Sequence, residues 1–170
     1  MLKRTAWAGM TLAVAIGFAG APGYAQSAKL VSEFKDWKVH HSDGTAQQIC
    51  FASSQPKETE PRGISRRSAY FYVSAFPGDG VKAEISLKLG FSAQNSSSVV
   101  VQIASGRWQL FTAGDRAFVS DPRDELKLID AMKRGSFMTV TANTSNGTEV
   151  KDTYSLLGVT NAINSIDDCG

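Results

Sequence analysis

Between Lys82 and Leu89 the chain alternates without a break: Ala83, Ile85, Leu87 and Leu89 are apolar, and Lys82, Glu84, Ser86 and Lys88 are polar. A period of two puts one set on a buried face and the other in water, which only a β-strand does. Shorter runs follow at Val99 to Ile103, Trp108 to Thr112 and Ala117 to Ser120, separated by Ser105-Gly106 and Gly114-Asp115, and they predict a meander. Phe137 to Ala142 and Thr148 to Tyr154 are joined by Thr144-Ser145-Asn146-Gly147, whose Asn-Gly step is a hairpin signal. Tyr70 to Phe76 is apolar on both faces, the pattern of a central strand covered twice. Together these segments predict a mainly β fold, a β-sandwich or barrel-like set of antiparallel sheets.

Two short helices are predicted near the C-terminus. Arg123 to Arg134 has Asp121 as cap, Pro122 at the first helical position, Asp124 and Glu125 in the first turn and Gly135 at the stop. Its apolar stripe is expected to be Leu126, Ile129 and Met132, flanked by Leu128 and Ala131, with Lys133 and Arg134 complementing the dipole. A last helix of about two turns carries Val159, Ala162, Ile163 and Ile166 on one face. So short a helix is marginal by itself and needs the sheet beneath it.

Residues 1 to 25 differ in kind from the rest. Lys3 and Arg4 precede an apolar stretch from Ala6 to Gly20, and Ala21-Pro22-Gly23-Tyr24-Ala25 closes it with small residues. That is the pattern of a secretory signal peptide. The stretch is too short and too interrupted by glycine to read as a membrane span, and no later segment approaches the roughly 18 apolar residues a span needs. Gln26, not cysteine, follows the cleavage point, which argues against a lipid anchor. The mature part, residues 26 to 170, is expected to be a single domain of the periplasm or the secreted fraction. The whole chain has a formal charge of +2, and removing residues 1 to 25 leaves 16 basic and 16 acidic side chains. A neutral body of this kind gives no reason to expect nucleic acid as a partner.

The two cysteines are Cys50 and Cys169. In an oxidising compartment an even count favours pairing, so a Cys50–Cys169 disulfide is expected, with two free thiols as the other reading. A loop that long is worth about 4–5 kcal/mol in the chain-entropy treatment. The mature chain buries roughly two-thirds of its unfolded surface without help, so the bridge should stabilise the domain and not be required for folding.

Chemistry-bearing motifs are few. There is no G-x-S-x-G, no P-loop, no H-E-x-x-H and no calcium loop. His40 and His41 are consecutive, so on a strand they point to opposite faces and cannot share one metal; Asp43 nearby does not change that. Gly78-Asp79-Gly80 has the look of a tight turn between strands. Asp121 with Asp124 belongs to a helix start, Asp167 with Asp168 to a polar tail, and Trp37 and Trp108 to the core. No cofactor, metal or catalytic set is expected. Ser53 to Ser68 holds Pro56, Pro61, Gly63 and six charges, and is expected to be the longest exposed loop. Arg62, Arg66 and Arg67 on it are the candidate partner contacts, in a mixed-sign rim with Lys57, Glu58 and Glu60.

Four segments, taken in order, resemble one known family. They are Phe34-Lys35-Asp36-Trp37-Lys38-Val39, Ile49-Cys50-Phe51-Ala52-Ser53, Ala131-Met132-Lys133-Arg134-Gly135-Ser136, and Asp152-Thr153-Tyr154-Ser155-Leu156-Leu157-Gly158-Val159-Thr160-Asn161-Ala162. Their order and spacing are similar to the invasion-associated locus B family of exported alphaproteobacterial proteins. Longer members of that family carry a cysteine soon after the Trp-x-Val element and a further pair in mid-domain. His40 and His41 stand near the first of these positions and the middle pair is absent, so the chain resembles a short, two-cysteine branch. The resemblance implies a compact, β-rich exported domain whose family name comes from host-cell invasion by pathogenic members. It brings no catalytic residues. The expected function is therefore a non-enzymatic envelope or host-interaction module that binds a protein or envelope component. The alternative is a small periplasmic hydrolase whose residues converge only in the fold.

Two outcomes follow from the termini and the cysteines. Intact-mass analysis of exported protein should place the mature N-terminus at Gln26; retention of residues 1 to 25 would reject the signal-peptide reading. A thiol assay on periplasmic protein should find no free cysteine, and reduction should lower the melting temperature by several degrees while the strands persist.

Overall fold

In the computed structural model, residues 28–43, 48–94 and 96–167 are described. The signal-peptide segment and Cys169 lie outside them. The strands are β1 (Lys29–Phe34), β2 (Trp37–Asp43), β3 (Gln48–Ser54), β4 (Glu58–Glu60), β5 (Tyr70–Phe76), β6 (Val81–Lys88), β7 (Ser98–Ile103), β8 (Gly106–Ala113), β9 (Arg116–Phe118), β10 (Phe137–Asn143) and β11 (Glu149–Ser155). Helix α1 (Pro122–Arg134) lies between β9 and β10, and α2 (Val159–Asp167) follows β11. The strands form one sheet in the order β1-β2-β3-β5-β6-β9-β8-β7-β10-β11-β4, and each neighbouring pair is antiparallel. The fold is mainly antiparallel β with two helices, as the alternation and turn signals require.

The sheet rolls so that distant strands meet over one core. Phe71 of β5 packs edge-on against Trp37 of β2 and against Tyr154 of β11, at ring-centroid distances of 6.1 and 5.9 Å. All three side chains are fully or almost fully buried. The Trp37 indole N–H donates to the Ser155 carbonyl at 3.0 Å, and the Asp36 amide donates to the Leu157 carbonyl. The β1–β2 turn is thereby fastened to the exit of β11. Gly158, just beyond, has φ of +91°, and a Cβ there would overlap the Phe34 carbonyl, so the close approach needs glycine.

Helix α2 closes the core from inside the roll, with Val159, Ala162, Ile163 and Ile166 buried and contacts to β1, β2, β3 and β5. Helix α1 starts as its sequence dictates, with the Asp121 carboxylate accepting from the Arg123 amide at 2.8 Å and Pro122 in the first turn. Its buried stripe is Leu128, Ile129 and Met132. Leu126, expected in that stripe, is instead 64% exposed. The rotation that excludes it turns Glu125 inward, where its carboxylate accepts the Ile85 amide at 2.5 Å. β9 pairs with β6 only from Ser86 to Lys88, so the Ile85 N–H has no strand partner on that side. An unpaired buried donor costs about 1–3 kcal/mol, which favours the polar contact over burial of Leu126. Burial raises the Glu125 pKa, and the Ile85 N–H acts against that rise.

The largest departure from the sequence reading is the segment 53–68. Ser53 and Ser54 end β3 in buried positions, and the chain then crosses to the far end of the sheet, where β4 pairs with β11 through Thr59 opposite Asp152. Arg66 turns into the core. Its Nη1 donates to Asp152 Oδ2 at 2.8 Å and to the Leu89 carbonyl at 3.1 Å, and its Nη2 donates to Asp152 Oδ1 at 2.5 Å and to Thr59 Oγ1 at 2.9 Å. Thr59 Oγ1 in turn donates to Asp152 Oδ1 at 2.7 Å. The Arg66 and Asp152 side chains are 9% and 5% exposed. Arg66 is thus a core ion-pair residue and not a surface contact. Arg62 and Arg67 remain exposed, Arg67 with Asp115 at 3.4 Å.

Removing one partner of a buried, hydrogen-bonded pair strands the other charge. Arg66→Ser should therefore cost about 3–5 kcal/mol, roughly 10 °C in melting temperature for a chain of this size. Arg62→Ser and Arg67→Ser should each stay within about 0.5 kcal/mol of the parent. Thermal melts followed by circular dichroism would check the contrast, and equal melting temperatures across the three variants would contradict the buried pair.

Candidate functional site

Period-two alternation in a rolled sheet sends every second side chain outward, and ladder register decides which of these become neighbours. One row crosses seven strands. Lys38 of β2 lies opposite Ser53 of β3, which lies opposite Tyr72 of β5, which lies opposite Ser86 of β6. Ser86 lies opposite Phe118 of β9, Phe118 opposite Phe111 of β8, and Phe111 opposite Ser98 of β7. At about 4.8 Å between strands such a row is roughly 29 Å long. On one side of it Phe51 and His40 are ladder partners. On the other, Tyr70, Lys88 and Arg116 are successive partners on β5, β6 and β9.

The aromatic members form two stacked groups. Tyr70 and Tyr72 stack at 5.6 Å, Phe51 meets Tyr72 edge-on at 5.9 Å, and His40 stacks on Phe51 at 5.0 Å. Phe111 and Phe118 stack at 5.5 Å. Phe111 is half exposed, and the other rings are partly buried. β5 is therefore not covered twice, as its sequence suggests: Phe71, Val73 and Ala75 fill the core while Tyr70, Tyr72 and Phe76 are only half covered from outside.

Electrostatics follow the same geometry. Burial raises the Tyr72 pKa and the neighbouring Tyr70 adds to the rise, while the Arg116 charge opposes it. Burial lowers the His40 pKa, the Lys38 charge lowers it further, and Glu33 acts the other way. The first two effects favour the neutral imidazole.

At the β2 end the row runs into a cleft of about 310 Å³ lined by Lys35, Asp36, Lys38, Ser53, Ser54, Gln55, Pro56, Lys57 and Tyr70. Three lysines converge there. Lys57 pairs with Asp36, and Lys38 with Glu33 at 3.1 Å. The Lys57 ammonium and the Ser155 hydroxyl hold the Asp36 carboxyl below its ordinary range. Lys35 sits in the β1–β2 turn at φ +57° and has no acidic partner among the described residues. Lys88 and Arg116 likewise make no ion pair among the described residues. At the other end, Phe111 borders a shallow hollow lined by Ser96, Ser97, Ser98, Gln109, Thr112 and Ser120.

The sequence-derived candidates fall elsewhere. Arg62 and Arg67 are exposed and outside this row, and Arg66 is internal. His40 belongs to the outer aromatic group, whereas His41 shares the inner face with its ladder partner Cys50, so the two do diverge. Neither lines the cleft. Among the described residues no group of three or more His, Cys, Asp or Glu could hold a metal ion. Tyr70, Tyr72 and Phe51 were missed because an apolar outer face looks the same in sequence as a second covered face.

Comparison with known proteins gives a family and a fold. Residues 37–167 match the model of the invasion associated locus B (IalB) protein family. Among solved structures, the crystal structure of invasion associated protein B from Bartonella henselae superposes with a TM-score of 0.58 at 18% sequence identity, covering 81% of this chain and 96% of that one. A search of curated proteins finds no match. At that identity the structural likeness speaks for the fold, while the family match spans most of the chain, and with it the chain belongs to the invasion associated locus B family.

Proposed function

We propose that this chain is an exported, non-enzymatic binding module and that it takes its partner on the outer face of β2, β3, β5, β6, β9 and β8. The observation that carries this reading is the ladder row that sets Lys38, Tyr72, Phe118 and Phe111 along one sheet face, with Tyr70, Lys88 and Arg116 beside it, and that ends in the lysine cleft; Ser53 and Ser86 lie buried between these side chains. Partly exposed aromatic and basic side chains gathered on one sheet face are common in recognition surfaces. Export is supported by the N-terminal pattern of Lys3 and Arg4, the apolar stretch and the small-residue end. Among the described residues no helix is long and apolar enough to cross a membrane.

Against a hydrolase stand the divergent histidines. A histidine acting as general base needs its ring nitrogen within hydrogen-bond reach of the nucleophile, and His40 Nδ1 and His41 Nε2 are buried without a hydrogen-bond partner among the described residues. His40 stacks on Phe51 and His41 faces inward beside Cys50, so they serve different sides of the sheet.

The binding reading predicts that K35N/K88Q/R116Q, with asparagine tolerating the left-handed turn, keeps its melting temperature within about 1 kcal/mol of stability. The same variant should lose capture of the component that the parent protein retains from its own envelope fraction. Undiminished capture would remove this face from consideration. Substrate turnover abolished by His40→Gln would replace the binding module with an enzyme.

A further inference from the structure

We infer that the partner bound on this face is an acidic glycan, an extended polysaccharide bearing carboxylate or phosphate groups; the inference rests on the binding reading above and names its ligand. Four observations converge. First, the row is roughly 29 Å long and runs from the lysine cleft at one end to the hollow beside Phe111 at the other, a span that suits a polymer better than a compact ligand.

Second, recognition here comes from a sheet face and not an edge. β3, β5, β6, β9 and β8 each have a strand on both sides, so their backbone amides are largely spent in ladders. An extended peptide is normally taken by pairing with a free edge, and this face offers side chains only. What it offers is ring carbon, hydroxyls and cations. A pyranose presents a flat C–H patch, which packs on ring carbon, and a rim of hydroxyls, which hydrogen-bonds to serine and glutamine side chains. Tyr70, Tyr72, Phe118 and Phe111 provide the first, and Ser98 and Gln109 beside Phe111 provide the second.

Third, the charge on the face is biased toward the positive. Lys35, Lys88 and Arg116 lack acidic partners among the described residues, whereas Lys38 and Lys57 at the cleft are balanced by Glu33 and Asp36. Glu84, opposite Ser74, is the acid on the β5–β6 part of the face. The outward side of β4 and β11 has the reverse bias, with Glu58, Glu60 and Glu149 against Lys151. Residues 26 to 170 being neutral in sum, this separation favours an anionic ligand by local complementarity. Fourth, the rings lie low. Phe111 is the only one of them half exposed, so the face has little to insert into a bilayer, and an anionic membrane is the poorer fit.

Calorimetry of the purified mature protein would test this with four probes: polygalacturonate, neutral dextran, polyglutamate, and phosphatidylglycerol vesicles. Polygalacturonate should bind, and dextran and polyglutamate should bind at least about tenfold more weakly. K35N/K88Q/R116Q should weaken polygalacturonate about tenfold or more, and added salt should weaken it in the parent. Phe111→Ser should weaken polygalacturonate roughly two- to tenfold, without changing the weak binding of polyglutamate, because only a sugar uses the ring. No binding of polygalacturonate, equal binding of polyglutamate, indifference to Phe111→Ser, or preference for the vesicles would each overturn the glycan assignment. If K35N/K88Q/R116Q still abolishes envelope capture when polygalacturonate fails to bind, the glycan falls and the binding face stands. If both fail, the face itself is wrong.

Discussion

Arg66 and Asp152 meet inside the roll, and much of the architecture can be traced to that contact. The chain leaves β3 in the middle of the sheet order and must reach its far end to lay down β4, a strand of only three residues whose own ladder with β11 could not hold it. The guanidinium supplies what the ladder lacks. It grips both carboxylate oxygens of Asp152, the hydroxyl of Thr59 on β4 and the carbonyl of Leu89 beyond β6, so that one side chain ties together three distant parts of the chain. A buried pair of this kind is weak evidence of net stability, since an apolar replacement can do as well, but its geometry allows few alternatives. Its effect here is positional: with β4 fixed, Pro56 and Lys57 are drawn over the β1–β2 turn, and the lysine cleft has its wall.

What could be read from sequence divides along the same line. The period-two stretches, the Asn-Gly hairpin and the Asp121-Pro122 helix start are local signals, and β6, the β10–β11 hairpin and α1 stand where those signals put them. The apolar face of α2 is likewise as its spacing demands. Failures come where a distant partner overrides local character. Arg66 sits among prolines and charges, and only Asp152, far along the chain, makes it internal. Leu126 loses its place in the core because Glu125 finds the unpaired Ile85 amide. Tyr70 to Phe76 shows the ambiguity of an apolar strand, whose second face can be covered by protein or left for a ligand. The signal that was available is composition: the outer positions are the tyrosines, with a polar tip on an apolar body, and the inner ones are Phe71, Val73 and Ala75.

The family match and the fold likeness bear on the inside of the molecule more than on its outside. Trp37, the Trp37–Ser155 hydrogen bond and Gly158 beneath Phe34 belong to the segments that carry the family resemblance, and all of them fasten the β1–β2 turn to the exit of β11. The aromatic row is a different matter, because a fold can be kept while its surface is rewritten. Phe111, Phe118, Lys88 and Arg116 lie outside those segments, so a related protein with the same roll could recognise another class of partner altogether.

The separation of charge around the roll has a dynamic consequence. Residues 26–170 sum to no net formal charge and by themselves would feel almost no pull toward a distant polyanion, but with cations on one flank and Glu58, Glu60 and Glu149 on another they have a moment, and a moment feels a torque. Near a negatively charged surface such a molecule would drift in by diffusion alone and then turn, cationic flank first, within about a Debye length of contact. Encounters would be no more frequent than chance, yet a larger share of them would begin in the right orientation.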